Sequence, residues 1–411
     1  MKCGLLGRKL GHSYSPQIHG KLGNYSYALF EKEPEELEEF LKNGEFAGIN
    51  VTVPYKQAVI PYLDELSPLA QRLNAVNTVV RRDGRLIGHN TDFFGFLTMV
   101  RESGLDVRGK KALVLGSGGA SHTAVAVLED LGAQAVVISR SGENNYQNLH
   151  LHQDAALIVN ATPVGMYPNT GVSPVELGLF PKLVGVLDVV YNPARTKLLL
   201  DAEKRGIPAM NGLLMLVAQA KEAAQWFTGA EIPDGVIPEI HRMLQAQMEN
   251  MILIGMPGCG KSTVGKLLAE QLGKEFADAD EEIVRLAGKT IPELFTQDGE
   301  AVFRDWETKV LAELGKKSGL VIATGGGCVT KSRNYELLHQ NGQIFWLTRE
   351  LSKLPIDGRP LSQTHRIEEM YRIRKPMYEA FADFVISNDR AAEETVKEIG
   401  DCHTGVRTGS Q

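Results

Sequence analysis

The stretch NMILIGMPGCGKSTVGKLLAEQL, residues 250–272, decides the fold of the C-terminal half and organises the reading of the rest. Met251–Ile254 form a short unbroken apolar run of the kind that fills a buried parallel strand. GMPGCGKS at 255–262 follows directly and fits GxxxxGK[ST], and TVGKLLAEQL continues with helical spacing. In such a loop successive backbone N–H groups turn inward, a path that glycines permit, and the helix start behind it adds positive potential. Phosphate oxygens are the expected guests. Gly258, Cys259, Gly260, Lys261, Ser262 and Thr263 are therefore the candidate ATP-binding residues, with Lys261 bridging phosphates and Ser262 offering its hydroxyl to Mg2+. Cys259, inside the loop, is a candidate for alkylation that ATP would slow.

Working outward, further apolar runs follow the loop: LVIATGGG at 320–327, QIFWLT at 343–348 and DFVIS at 383–387. A separate series precedes it, with KKALVLG at 110–116, AVVIS at 135–139, LIVNAT at 157–162 and GVLDVVY at 185–191. Strands alternating with helical patterns predict an α/β fold with a doubly wound parallel sheet in each half. Between the series, GLLMLVAQAKEAAQWFTG (212–229) predicts a helix ending at Gly229, and EIPDGVIPEIHRMLQAQMEN (231–250) leads to a boundary at about 247. With 411 residues, the chain is too long for a single growing core, so several domains are expected.

A formal net charge of −6 argues against a polyanion-binding surface, which removes nucleic acid from the expected partners. No run approaches the ~18 apolar residues of a membrane span, and MKCGLLGRKLGHS lacks a signal-like apolar core. A cytoplasmic chain with small-molecule substrates is the expectation. Cys3, Cys259, Cys328 and Cys402 form no CxxC pair, which suits reduced thiols and offers no zinc site.

LGSGGASHTAVAVL, residues 115–128, places a second Gly-rich turn between strand and helix, the position of a dinucleotide-binding loop. Its candidate cofactor residues are Gly116, Ser117, Gly118, Gly119 and Ala120. About 20 residues on, where an acid would hold the ribose of NAD, the chain has Ser139 and Arg140. Arg140 can pair with a 2′-phosphate and favours NADP(H), while Glu143 works against it.

Beyond the phosphate loop, FADADEEI (276–283), GEAVFRDWE (299–307), ATGGGCV (323–329), DGRPL (357–361) and RIRKPMYEAFADFVI (372–386) occur in the order and approximate spacing of shikimate kinases. Residues 248–411 thus resemble a shikimate kinase, which implies a P-loop domain of the NMP-kinase type with a parallel sheet. The resemblance further implies that Asp278 and Ser262 hold Mg2+, that Asp280 takes the substrate hydroxyls, and that Arg304 and Arg374 grip its carboxylate. Gly326 would allow close approach to the ring, and Arg359 would reach the phosphates from a lid. The residue types suit that substrate class. A small polyhydroxylated acid needs planar bidentate donors at one end and a carboxylate acceptor at the other. The chain departs from the family in a shortened segment before the lid, LTRELSKLPI at 347–356.

In the first half, GRKLGHSYSPQIH (7–19), GINVTVPYK (48–56), NAVNTV (74–79), GHNTD (88–92), VNATPVGM (159–166), DVVYNP (188–193) and NGLLMLVAQA (211–220) resemble the ordered signature of shikimate dehydrogenase. This implies an α/β substrate domain at 1–100, completed by about 212–245, and a Rossmann NADP-binding domain at 101–211. By the resemblance Ser13 and Ser15 bond the substrate carboxylate, and Thr52, Asn77, Asp92, Tyr191 and Gln219 surround the ring. Val189 and Gly212 lie near the nicotinamide, and Lys56 and Asp92 form the catalytic pair. Reducing a ketone creates an alkoxide that must be protonated as hydride arrives, and a positioned ammonium can supply that proton. His122 stands where the family often has an arginine. The two resemblances together imply a bifunctional enzyme of aromatic amino acid biosynthesis. The rivals are a quinate/shikimate dehydrogenase using NAD fused to the kinase, and a fusion in which one half only senses its ligand.

Overall fold

Short apolar runs covered on both faces become the strands. A computed structural model describes residues 1–11, 13–354 and 367–403, and they divide into two compact units. Met1–Val164, Ser173–Tyr191 and Asp201–Met243 make the first; Gly165–Val172, Asn192–Leu200 and the chain from Leu244 onward make the second.

The first unit contains two sheets. The N-terminal one is mixed and has six strands: β1 (Lys2–Gly7), β2 (Ser26–Glu31), β3 (Gly48–Val51), β4 (Glu65–Leu66), β5 (Thr78–Arg82) and β6 (Arg85–His89). Their order is β2-β1-β3-β5-β6-β4, with β1 parallel to β2 and β3, and β5 antiparallel to β3 and β6. The second sheet is wholly parallel. Its strands are β7 (Lys111–Leu115), β8 (Gln134–Ile138), β9 (Leu157–Asn160), β10 (Gly185–Asp188) and β11 (Ala209–Met210), in the order β11-β10-β9-β7-β8. β9 and β10 are buried at every position, which is why they read as continuous apolar runs rather than alternating ones.

Two helices join the sheets to the substrate site. Asp92–Glu102 packs closely on Leu213–Thr228, because Gly95 carries no side chain where a Cβ would lie 2.6 Å from the Met215 carbonyl and 3.0 Å from Gln219 Cβ. The latter helix ends at Gly229 in the left-handed conformation (φ 69°), where glycine carries no steric penalty.

The second unit holds a five-stranded parallel sheet. Its strands are β12 (Asn250–Ile254), β13 (Glu275–Asp278), β14 (Leu320–Ala323), β15 (Gly342–Thr348) and β16 (Phe384–Ser387), in the order β13-β14-β12-β15-β16. The phosphate-loop strand β12 is central, entirely buried, and followed by the loop and the helix Lys261–Leu272. Ligands in such sheets bind beyond the carboxyl ends of the strands, and β12, β13, β14 and β15 all direct their following residues there.

Candidate active sites

In the first unit, Lys56 and Asp92, the expected pair, meet directly beside a buried amide. Lys56 Nζ donates to Asp92 Oδ2 at 2.5 Å, and Asn77 Nδ2 donates to Asp92 Oδ1 at 2.9 Å, to Thr91 Oγ1 at 3.0 Å and to Gln219 Oε1 at 3.4 Å. Asn77 Oδ1 in turn accepts from Thr91 N at 2.7 Å. The backbone explains why Lys56 reaches this cluster. Val76 N donates to the Lys56 carbonyl at 2.8 Å, and the buried Tyr55 donates its hydroxyl to the Lys32 carbonyl at 2.5 Å. The side chain of Lys56 keeps 23% exposure against 9% for Asp92, so the ammonium has one wet face and the carboxylate almost none.

Ser13 and Ser15 stand at the start of the helix Ser15–Leu22, where Ser15 N donates to Ser13 Oγ at 3.2 Å. Beneath them His19 stacks on Tyr27, with ring centroids 4.0 Å apart, and Tyr27 donates to Asn50 Oδ1 at 2.7 Å. Asn50 Nδ2 donates to Thr78 Oγ1 at 3.2 Å, and Thr78 Oγ1 donates to Asn77 Oδ1 at 3.2 Å. A chain of side chains thus runs from the Ser15 helix to the Asp92 cluster. Thr52 follows β3 with its N–H on the Leu6 carbonyl, and Tyr191 meets Tyr14 edge-on at 6.3 Å between ring centroids. Burial pushes the Tyr191 hydroxyl above its ordinary pKa, which keeps it a neutral donor.

The candidate dinucleotide loop opens toward Lys56. Gly116 has φ 108° and packs on Ala161 and Thr162, while a Cβ on Gly118 would meet no atom within 4 Å. A Cβ on Gly119, the first residue of the helix Gly119–Asp130, would have Lys56 Cδ at 3.8 Å as its near neighbour. The loop therefore offers an open cradle at a helix start next to the lysine, which fits a pyrophosphate. Ser117 and Ala120 flank these glycines, and Gly212 has no room for a Cβ against the Val189 backbone. Arg140 is exposed just beyond β8, in the same loop as Glu143.

In the second unit, the phosphate loop turns on Gly255 (φ 143°), Gly258 (φ 83°) and Gly260 (φ 98°). Lys261 Nζ donates to the Gly255 carbonyl at 2.9 Å and the Met256 carbonyl at 3.1 Å. Ser262 Oγ donates to Asp278 Oδ2 at 2.6 Å, a pair of hard oxygens of the kind that suits Mg2+ held largely through water and phosphate. Among the described residues there is no cluster of three or more His, Cys, Asp or Glu able to cage a metal. Cys259 is fully buried, with Sγ 3.9 Å from Lys261 Nζ, so a reagent reaches it only when the loop opens.

Facing the loop across a cavity of about 670 Å3 are the expected acid-binding groups. Arg304 Nη1 donates to Glu307 Oε2 at 2.9 Å and Nη2 to Glu300 Oε1 at 3.1 Å, and Arg374 Nη1 donates to the Gly326 carbonyl at 3.1 Å. Burial opposes the charge on Arg304, but Glu307 and Glu300 outweigh it and hold its pKa above the ordinary value. Burial also pushes the Glu307 carboxyl up, against the pull of Arg304. The triple glycine is a steric requirement. A Cβ on Gly325 would lie 2.7 Å from Glu307 Oε1 and 2.8 Å from Asp280 Oδ1; one on Gly326 would lie 2.6 Å from Pro257 Cδ; and one on Gly327 would collide with the Arg304 guanidinium. Arg359 lies outside the described residues.

The family model for shikimate kinase matches residues 257–403, and that for the shikimate dehydrogenase substrate binding domain matches residues 5–79. The NADP(+) shikimate dehydrogenase of Clostridium perfringens SM101 is 36% identical, over 59% of this chain and 98% of that protein. The chain belongs to the shikimate dehydrogenase family. Shikimate dehydrogenase 1 of Peptoclostridium difficile is a structural neighbour at 37% identity and a TM-score of 0.56, covering 59% of this chain and 97% of the neighbour. The shikimate 5-dehydrogenase of Thermus thermophilus, solved in complex with NADP(H) and shikimate, gives 33% identity and a TM-score of 0.54, over 59% of this chain and 99% of that one. With the kinase match behind it, the chain is a shikimate dehydrogenase fused to a shikimate kinase, a bifunctional enzyme of the shikimate pathway.

Several residues of the dehydrogenase and kinase sites were not singled out by sequence. Thr91 and Asn50 lie inside recognised segments, but only the fold shows that they tie Asn77 to its neighbours. Tyr378 donates to the Gly326 carbonyl at 2.5 Å and fixes the glycine turn; Asn388 Nδ2 donates to the Cys259 carbonyl at 2.7 Å and fixes the phosphate loop. Among the described residues, no helix is long and apolar enough to cross a membrane.

Proposed function

We propose that this chain performs two consecutive reactions on one small acid: reduction of 3-dehydroshikimate to shikimate, then phosphorylation of the shikimate 3-hydroxyl. Bound NADPH supplies the hydride, and ATP with Mg2+ supplies the phosphoryl group. Lys56 Nζ gives its proton to the carbonyl oxygen as the carbon beneath accepts hydride, and it regains a proton through its exposed face. Asp92 holds that ammonium and the adjacent substrate hydroxyl in line, with Asn77 and Gln219 fixing the carboxylate and the ring. Ser13, Ser15, Thr52 and Tyr191 bind the substrate carboxylate end and close off the ring. Gly116, Ser117, Gly118, Gly119 and Ala120 cradle the pyrophosphate, Arg140 takes the 2′-phosphate, and Val189 and Gly212 shape the nicotinamide site.

In the kinase, Arg304 and Arg374 bind the shikimate carboxylate, and Asp280 accepts from its hydroxyls and receives the proton of the attacking one. Gly326 admits the ring. Gly258, Cys259, Gly260, Lys261 and Thr263 hold the phosphates, and Ser262 and Asp278 hold Mg2+.

One observation carries the reading: a Cβ added at Gly119 would stand 3.8 Å from Lys56 Cδ, so the glycine loop opens toward the lysine that is itself bonded to Asp92. A glycine cradle for a dinucleotide beside a lysine–aspartate pair suits ketone reduction by hydride. ATP cleavage in the second reaction draws the reversible reduction forward by removing its product. The test follows NADPH absorbance with 3-dehydroshikimate, with and without Mg·ATP. NADPH should fall to an equilibrium level alone and further with ATP, as shikimate 3-phosphate accumulates. Absence of turnover with both NADPH and NADH, together with shikimate left unphosphorylated, overturns the proposal.

A further inference from the structure

Among the described residues four cations line the cavity of the second unit, and three are held by the protein itself. Lys261 donates to two carbonyls of its own loop, Arg304 is clamped between Glu300 and Glu307, and Arg374 rests on the Gly326 carbonyl. Arg349 differs. It lines the same cavity, yet its Nε is buried with no hydrogen-bond partner among the described residues. The acids near it in sequence and space are engaged elsewhere: Glu350 pairs with Lys353 at 3.0 Å, and Asp389 Oδ1 accepts from Glu350 N at 3.0 Å and from Lys353 at 3.4 Å. A buried guanidinium nitrogen without an acceptor costs free energy that an anion in the cavity would remove.

The backbone fixes where such an anion sits. Arg349 directly follows β15, and that strand end is locked to the phosphate loop from two sides. Gly255 leaves no room for a Cβ against the Leu347 carbonyl. Asn388 N donates to the Thr348 carbonyl at 2.8 Å while its side-chain amide holds the Cys259 carbonyl. The arginine therefore leaves the sheet beside the loop that cradles phosphates, on a rigid element rather than on a lid.

We propose that Arg349 is a phosphate-contacting residue of the kinase site, its guanidinium bonding oxygens of the ATP β- and γ-phosphates. The proposal rests on the kinase reading above and adds a cation that neither the phosphate-loop motif nor the substrate-binding set includes. It also accounts for the chemistry of the shortened 347–356 segment, whose other cation, Lys353, is spent on Glu350 and Asp389.

The test compares full-length Arg349→Gln and Arg349→Lys with the parent chain, using ATP kinetics, shikimate KM and competition by adenosine. Loss of charge-assisted bonds to a transferring phosphoryl group should lower kcat/KM for ATP about 100-fold or more in the glutamine variant. The lysine variant should recover part of this, while shikimate KM and adenosine affinity stay within about threefold. NADPH-dependent reduction in the same molecule reports that the first unit is intact, and an unchanged shikimate KM reports the same for the second. ATP kinetics within about threefold of the parent overturn the proposal, as does an equal weakening of adenosine, which would place Arg349 on the base instead. If the glutamine variant binds no shikimate at all, the lysine variant decides by the same criteria. A parent chain that phosphorylates no shikimate overturns the kinase reading before any variant is compared.

Discussion

The first unit holds its reacting lysine in a web of neutral amides and hydroxyls, whereas the second unit holds its arginines with carboxylates and bare backbone. Among the described residues the carboxylate bonded to Lys56 is Asp92, and behind it stand Asn77, Thr91, Thr78, Asn50 and Gln219, none of which titrates. Arg304 is bonded to two carboxylates, Glu300 and Glu307, and Gly327 lies against its guanidinium. The difference follows from the work each cation does. In the proposed reduction Lys56 gives up a proton and takes it back, so its surroundings have to tolerate both charge states. The proposed carboxylate grip needs no proton transfer, so carboxylates can hold Arg304 and a backbone carbonyl Arg374 in a fixed geometry without interfering with the chemistry.

The sharpest way to break this comparison is to remove each unit's lysine. Lys56→Ala should cut reduction by about 10³-fold or more while leaving phosphorylation of shikimate near the parent rate. Lys261→Ala should do the reverse, since the proposed role of its ammonium is to bridge phosphates, with no part in reduction. Steady-state rates of both reactions on each purified variant decide it. Loss of both activities from either change would mean that the two networks are not independent.

Much of this was legible because strands and loops announce themselves. The buried runs at 111–115, 157–160 and 250–254 became β7, β9 and β12, and both glycine loops sit at the helix starts that follow a strand. Lys56, Asn77, Asp92 and Gln219 were nameable only together, through family resemblance, since no spacing rule joins residues spread over four segments. What stayed hidden depends on long-range closure. Asn388 clasps the phosphate loop from 129 positions away in sequence, and Tyr378 reaches Gly326 across 52. Arg349 went unremarked within the shortened 347–356 segment, because its buried nitrogen is a property of the folded cavity alone.

A second prediction tests the role of backbone in the kinase. Gly327→Ala places a methyl group where the Arg304 guanidinium lies, and the helix Glu300–Gly315 and the glycine turn are both anchored. The arginine must leave its two carboxylates or the turn must shift. Shikimate kcat/KM should fall about 100-fold, with most of the loss in KM, because the carboxylate grip fails before the phosphate loop does. Reduction should be unchanged. A kinase that keeps its shikimate KM would show that the Arg304 clamp is not needed for binding.

The smallest effect concerns the neutral web, which should make the first unit sensitive to acid through His19. That ring is buried, stacks on Tyr27 and Phe227, and has Nδ1 2.7 Å from the Tyr25 hydroxyl, while Nε2 is buried with no hydrogen-bond partner among the described residues. No carboxylate is among these neighbours, and burial pushes its pKa down from 6.5 to about 3. Between those values the unfolded chain binds a proton that the folded chain refuses, so stability is full above pH 6.5 and declines as pH falls. The slope is about 1.4 kcal/mol per pH unit for one such group, and His89, pushed down to about 4 by burial, adds to it over its own range. His19→Phe keeps the stacking and removes one titrating site. Its first-unit unfolding transition should therefore lose about one proton's worth of pH dependence between pH 6 and 4 relative to the parent, whatever happens to absolute stability. Denaturation followed through loss of NADPH-dependent reduction at several pH values measures this. Parallel slopes for the two proteins would show that His19 does not set the acid sensitivity of the web around Asp92.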